Sequence, residues 1–335
     1  MAEAFLKLST RDRRDALEVA ASAGGRPVHL LEKDVWVVWT LAALFASPIG
    51  EHLVFKGGTS LSKAYAAIRR FSEDIDLTYD IRRLIPDLVA DRAEALPPNR
   101  SQEKKWTRAV RSRLPEWITT TVVPELQTAM DRERLPATLR SEEEKVFIDY
   151  KPLATGSGYV SPSVMLEFGA RSTGEPYEIR EIGCDAADHL TQLSFPEASP
   201  RVMRVERTFW EKATAVHVFC LQGRLRGERV ARHWHDLIRL DEAGYADTAL
   251  RDRELALAVA RHKAMFFAEK DAEGRAVDYE AAVTGAIRLV PEGAAQEVLA
   301  DDYRRMVEDG LLLDDVEVFD VLMDHCRRLE RKAND

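Results

Sequence analysis

Two aspartates, Asp74 and Asp76, stand one residue apart in the stretch DIDLTY. In an extended strand successive side chains point to opposite faces, so these two project together while Ile75 and Leu77 turn to the core. Carboxylates held that close repel unless a cation lies between them, and an oxygen-only ligand set favours magnesium or manganese. Shortly before them come Lys56, Gly57, Gly58, Thr59, Ser60 and Lys63. Glycine lets the backbone approach a ligand closely, and N–H groups at a helix start bind phosphate with help from the helix dipole. A Gly-Gly before a helix is by itself usually a turn, and a lone Asp-x-Asp is usually solvated. Together in one short unit they point to a metal-bound nucleoside triphosphate.

Elements must hold these groups. Residues 53–55 read as a strand, 59–68 as a helix and 75–79 as a second strand. Strands are also expected at 145–150, 163–168, 177–182 and 202–205. In VMLEFGA, Glu167 lies between Leu166 and Phe168 and faces away from both, toward the aspartates if the strands are neighbours; Asp149, in FIDY, is the competing third carboxylate. Ser9 or Thr10 caps a first helix that ends near Gly24 and Gly25. Residues 30–45 are apolar almost all round after a charged first turn, Glu32, Lys33 and Asp34, as in a helix buried in the core; those charges either complement the helix dipole or serve the site. The stretch 81–100, with Pro86, Pro97 and Pro98, reads as a mobile connection or lid. Residues 101–130 read as helical but broken at Pro115 and Pro124, with Trp106 and Trp117 set against a polyanion or packed on the sheet. From 206 onward the pattern is helical only. Phe209, Ala213, Val216 and Cys220 share one face, with Lys212 at its edge. His233 and His235, two apart on a helix, point to different sides and cannot share a metal there. The last helix, 316–329, reads as structural. The expected fold is α/β of the α+β kind: N-terminal helices and a small mixed sheet in 1–205, and a helical domain in 206–335.

The chain has 335 residues, 45% of them hydrophobic and 31% charged, enough for one large domain or two ordinary ones with a substantial core. It has no run of about 18 apolar residues and no signal-peptide core near Met1, so a cytoplasmic protein without a membrane partner is expected. Cys184, Cys220 and Cys326 are far apart with no Cys-x-x-Cys, which excludes a zinc ribbon and favours buried free thiols. A net charge of -9 excludes a protein that coats nucleic acid along its whole surface, but not local basic patches. Two stand out: Arg100, Lys104, Lys105, Arg108, Arg111 and Arg113; and Arg224, Arg226, Arg229 and Arg232.

The phrases FKGGTSLSK (55–63) and RFSEDIDL (70–77), with fourteen residues between Thr59 and Asp74, resemble the DNA polymerase beta-like nucleotidyltransferases, and within them the AbiEii/AbiGii toxin family of type IV toxin–antitoxin systems. The resemblance implies a polymerase beta-like core and metal-dependent transfer of a nucleoside monophosphate from a nucleoside triphosphate to RNA, with the 3′ end of tRNA as acceptor, restrained by a separate antitoxin protein. It implies Asp74, Asp76 and Glu167 as ligands of magnesium or manganese, with Glu167 as the base. Lys56, Gly57, Gly58, Thr59, Ser60 and Lys63 would hold the triphosphate. RHWHDL and the helix before it match segments that give the family's site a lysine and an aspartate, here Lys212, to neutralise the triphosphate, and Asp236, to orient it or the incoming substrate. In ARHKAMFF, His262 and Lys263 are the residues considered for substrate contact. A phosphoryl group on Ser72 would add negative charge beside the site and silence it. Two other readings stay open: nucleotidylation of a protein side chain, and an inactive nucleotide-binding interaction protein.

Overall fold

Strands that alternate apolar and polar residues build a seven-stranded mixed sheet: β1 (Leu53–Lys56), β2 (Ile75–Tyr79), β3 (Ala137–Glu142), β4 (Lys145–Tyr150), β5 (Ser163–Gly169), β6 (Tyr177–Ile179) and β7 (Arg201–Met203), in the order β3–β4–β5–β2–β1–β7–β6. This computed structural model describes residues 2–72, 74–90, 92, 94–155, 161–225, 229–308, 312 and 316–335; Arg226 of the second basic cluster lies outside them. The chain forms two compact units. Met1–Ala64, Ser72–Ala90 and Arg108–Val202 make up the first; Tyr65–Phe71, Asp91–Thr107 and Met203–Asp335 make up the second.

In the first unit, Ile75, Leu77, Val146, Ile148, Val164, Leu166 and Phe168 are buried on one face of the sheet. Helices α1 (Thr10–Gly24) and α2 (Val28–Ala46) precede the sheet, and α3 (Gly57–Lys63) joins β1 to the segment before β2. Trp36 of α2 stacks on Tyr150 with ring centroids 5.1 Å apart. Short helices α4 (Ile81–Leu84) and α5 (Pro86–Val89) follow β2, and then come the long α6 (Arg100–Trp117) and α7 (Val123–Glu133). Trp117 stacks on Tyr79 at 3.9 Å and meets Phe168 edge-on, so it packs on the sheet. Each fully buried aliphatic side chain on this face contributes about 1.5–3 kcal/mol, which fixes by alternation the side to which Asp76 and Glu167 point.

The second unit is helical: α8 (Val205–Gln222), α9 (Ala231–Glu242), α10 (Tyr245–Arg251), α11 (Arg253–Phe266), α12 (Tyr279–Ala281), α13 (Ala294–Glu308) and α14 (Phe319–Asn334). Phe209, Trp210, Ala213, Val216 and Trp234 are buried. The two indoles donate to the Ala249 and Leu289 carbonyls at 3.0 and 2.8 Å, as buried indoles must. Asp302 of α13 accepts from the Arg229 and Ala231 N–H groups and so caps the start of α9.

Three local expectations are corrected. The helix expected over 59–68 begins at Gly57 and ends at Lys63, and the chain then turns through Ala66 at φ 49°. Residues 81–90 are packed structure and no lid, because Ile81, Leu84, Ile85 and Val89 are buried and Asp80 caps α4. Pro115 and Pro124 do not break the 101–130 region. Pro115 sits inside α6, a π-helical turn (Ile118–Val122) carries the path onward, and Pro124 falls in the first turn of α7. A widened turn accommodates the carbonyls that a proline leaves without their usual donor.

The charged start of α2 is buried and does not face solvent at a helix end. The Leu153 N–H donates to Glu32 at 2.8 Å, and Lys33 donates to the Ser161 carbonyl at 3.0 Å. Burial pushes the Glu32 carboxyl up to about 7, against the pull of the Leu153 N–H, Arg13 and Arg14. A carboxyl raised in this way favours its protonated form in the fold, so its contribution is fully present below pH 4.5 and is lost as pH rises through about 7. In urea denaturation, Glu32→Gln should therefore gain stability relative to the parent between pH 5 and pH 8, by up to about 3 kcal/mol. A difference that stays flat across that range would count against the assignment.

Candidate active site

In the first unit β2 runs antiparallel to β1, with Asp76 opposite Lys56, and parallel to β5, with Asp76 opposite Glu167. Lys56, Asp76 and Glu167 therefore form a row across three neighbouring strands, with facing side chains about 5 Å apart at their Cβ atoms. Glu167 is 49% exposed and pairs with Lys145 at 3.2 Å. Asp149 is one strand farther off, on β4 opposite Ser163, and lies 3.4 Å from Arg140. Of the two candidates for third carboxylate, Glu167 is the one set beside Asp76.

Gly57 follows Lys56 at φ +79°, and a Cβ on it would stand 1.9 Å from Asp76 Oδ2. The Asp76 carboxylate thus lies against a bare Cα, and the acidic strand and the glycine corner meet. Glycine is required twice here, by the left-handed backbone and by the contact. Gly57→Ala should displace the carboxylate by an ångström or more and cut turnover by about 100-fold; near-normal rates in that variant would show that the corner does not matter.

The hydroxyls around the corner hold the backbone together. Thr59 Oγ1 donates to the Asp74 carbonyl at 2.5 Å and stands 2.9 Å from Ser72 Oγ. Ser60 Oγ donates to the Gly57 carbonyl at 2.9 Å. Thr59 and Ser60 are both buried. The Lys63 ammonium stands 2.6 Å from both Asp34 and Asp185.

The donor set fits a hard divalent cation. Asp74, Asp76 and Glu167 offer only oxygen, and Asp76 and Glu167 are in register on neighbouring strands, with Asp74 just before the first of them. Among the described residues no three Asp, Glu, His or Cys side chains are already gathered around one point. To join the others Glu167 has to release Lys145, an exposed pair worth about 0–1 kcal/mol.

In the second unit, Lys212 of α8 and Asp236 of α9 are brought together at 2.8 Å. Asp236 is fully buried, and Arg70 grips it with two bonds, Nε to Oδ1 at 2.7 Å and Nη2 to Oδ2 at 2.9 Å. His235 Nδ1 lies 3.5 Å from it. Burial raises the Asp236 carboxyl, but Arg70 and Lys212 outweigh that and hold it well below the usual carboxylate range. Arg70 is the residue that sequence reasoning passed over. Its signal was its place in RFSEDIDL, four residues before Asp74. Burial lowers His233 to about 3. Lys263 lies 5.0 Å over the Phe267 ring, and His262 packs against Phe266 and Phe267. On α6 Lys104, Lys105, Arg108 and Arg111 are exposed, whereas Arg113 is paired with Asp87 and Arg100 donates to the Met265 carbonyl.

The sequence profile of one family, described as nucleotidyl transferase AbiEii toxin, type IV TA system, matches residues 39–325. The chain belongs to this family. It is a nucleotidyltransferase toxin of a type IV toxin–antitoxin system, with an antitoxin as its counterpart, and the α+β fold with a mixed sheet and many helices is the one its fingerprint led us to expect. The matched span of the AbiEii chain includes the Gly57 corner, both aspartates, Glu167, Lys212 and Asp236. No curated protein matches the sequence. Among solved structures, MenT4, a nucleotidyltransferase toxin from Mycobacterium tuberculosis, is similar at 17% identity and a TM-score of 0.43 over 98% of both chains. JHP933 from Helicobacter pylori is similar at 15% identity and a TM-score of 0.40 over 91% of both. No described helix of this AbiEii chain is long and apolar enough to cross a membrane.

Proposed function

We propose that this toxin transfers a nucleoside monophosphate from a nucleoside triphosphate to a hydroxyl of RNA, with the 3′ end of tRNA as acceptor, in a reaction that depends on magnesium or manganese. The observation that carries the reading is the Asp76 carboxylate lying against the Gly57 Cα and beside Glu167. Asp74, Asp76 and Glu167 would hold the ions. When bound, these supply the charge that stabilises the attacking and leaving oxygens. Glu167 takes the proton of the acceptor hydroxyl, its oxygen bonds to the α-phosphorus, and the bond to pyrophosphate breaks. Gly57, Gly58 and Thr59, with Lys56 and Ser60, keep the corner open to the phosphates. In the second unit Lys212 and Arg70 outnumber Asp236 between them, which leaves a positive charge that suits a phosphate group. The exposed lysines and arginines of α6 suit RNA phosphates, which makes RNA affinity fall with salt.

Incubation with each labelled nucleoside triphosphate, magnesium or manganese, and total tRNA or cell protein tests the reading. Label on tRNA supports it, label on protein moves the acceptor to a side chain, and no label anywhere makes the chain an inactive nucleotide binder. Phosphorylation of Ser72 would regulate the same corner, a reading supported by its hydroxyl standing 2.9 Å from that of Thr59. Ser72→Asp should lower transfer at least about 10-fold while Ser72→Ala retains it, since an added negative charge opposes a triphosphate; equal rates for the two variants would dismiss the idea.

A further inference from the structure

Lys63 closes the fingerprint that Lys56 opens, yet its ammonium is enclosed by acids of the protein itself. Asp34 Oδ1 and Asp185 Oδ1 each stand 2.6 Å from Lys63 Nζ, and the Asp185 N–H donates to Asp34 Oδ2 at 2.7 Å. Arg26 pairs with the other oxygen of Asp185. Two acids thus balance two bases, and the cluster is neutral as a whole. A lysine placed so contributes no net charge to a triphosphate. We propose that Asp34 and Lys63 are positioning residues for nucleotidyl transfer: Asp34, through Lys63, fixes the far end of α3 and thereby the stance of the Gly57 corner against Asp76.

The helix itself gives the reason. α3 has seven residues, spans about 10 Å, and is far too short to be stable alone. Its placement depends on its attachments. At its start Gly57 abuts Asp76; in its first turn Thr59 is bonded to the Asp74 carbonyl; at its last residue stands the Lys63 cluster. A short rigid rod released at one end pivots about the others, and a shift of about 1 Å at a reacting site costs about 100-fold in rate. Asp34 is buried near the start of α2, so the tether runs from the core helix of the unit to the corner.

This inference rests on the proposed transfer reaction, and its test separates the two. Hydrogen exchange of the amides at 57–62 needs no turnover: Asp34→Asn and Lys63→Met should each speed it at least about 10-fold relative to β5 amides, and unchanged protection would overturn the proposal even if the protein transfers nothing. Where the parent protein is active, kcat/KM at 20 °C should fall about 100-fold in Asp34→Asn and in Lys63→Met, and no further in the double variant, because both break one tether. Lys63→Arg, which keeps the charge, should retain more than about a tenth. Loss in Lys63→Met alone, with Asp34→Asn normal, would make Lys63 a direct phosphate ligand and refute the tether. A lowered melting temperature with unchanged kcat/KM would reduce the cluster to a structural salt bridge and refute it as well.

Discussion

Asp76→Asn should lower nucleotidyl transfer about a thousandfold or more while the protein stays folded. The carboxylate lies against Gly57, and its residue stands in register with Glu167 on the neighbouring strand. Asparagine keeps its volume, and Ile75 and Leu77, both buried, keep the strand in place. What disappears is one negative charge at the point where the proposed reaction holds its ions and phosphates, and loss of a single well-placed electrostatic contact at a reacting centre already costs about 100- to 1,000-fold. Like charges facing each other across adjacent strands are mildly destabilising, so the melting temperature of Asp76→Asn should equal or slightly exceed that of the parent. Single-turnover transfer with labelled nucleotide, alongside thermal denaturation, checks both halves. A variant with full activity ends the assignment, and one that fails to fold would make Asp76 a structural residue.

The second large effect concerns stability. Asp236→Ala should destabilise the protein by about 3–5 kcal/mol, because it leaves Arg70 and Lys212, nearly buried themselves, facing each other without the carboxylate that separates them. Lys212→Met should cost less, since Asp236 keeps both bonds from Arg70. Urea denaturation of the two variants gives the order, and equal costs would contradict it. The pH dependence has a definite sign. Asp236 is held well below its ordinary value of 3.8, so its contribution is fully present above that value and is lost only as pH falls further, toward its value in the fold. The gap between the parent and Asp236→Ala should therefore stay constant from pH 8 down to about pH 4.

Most of the sheet strands, the buried α2 and the nearness of Asp76 to the glycine corner were legible in the sequence, because a period of two and a bare Cα before a helix are local signals. Long-range partners were not. Lys63 and Asp185 are 122 positions apart, and Arg70 and Asp236 are 166 apart. No local pattern announces that a lysine inside a phosphate-binding phrase has two acids waiting for it, or that an arginine beside an acidic strand grips a carboxylate far along the chain. The same limit explains the prolines of the 101–130 region. They mark a local cost, while the apolar side chains of α6 and α7, among them Leu114, Ile118 and Leu126, supply the packing that overrides it.

The pairing of β2 with β5 constrains how this toxin can diversify. Asp76 and Glu167 stand opposite each other across one backbone ladder, and their neighbours Leu77 and Phe168 are buried on the reverse side. Deleting or inserting one residue between positions 163 and 167 would swing the glutamate into the interior and expose a phenylalanine or leucine to water. Lineages descending from this sequence can thus exchange side chains here other than these two acids, but cannot change the number of residues in either strand without losing the acid that the proposed chemistry uses.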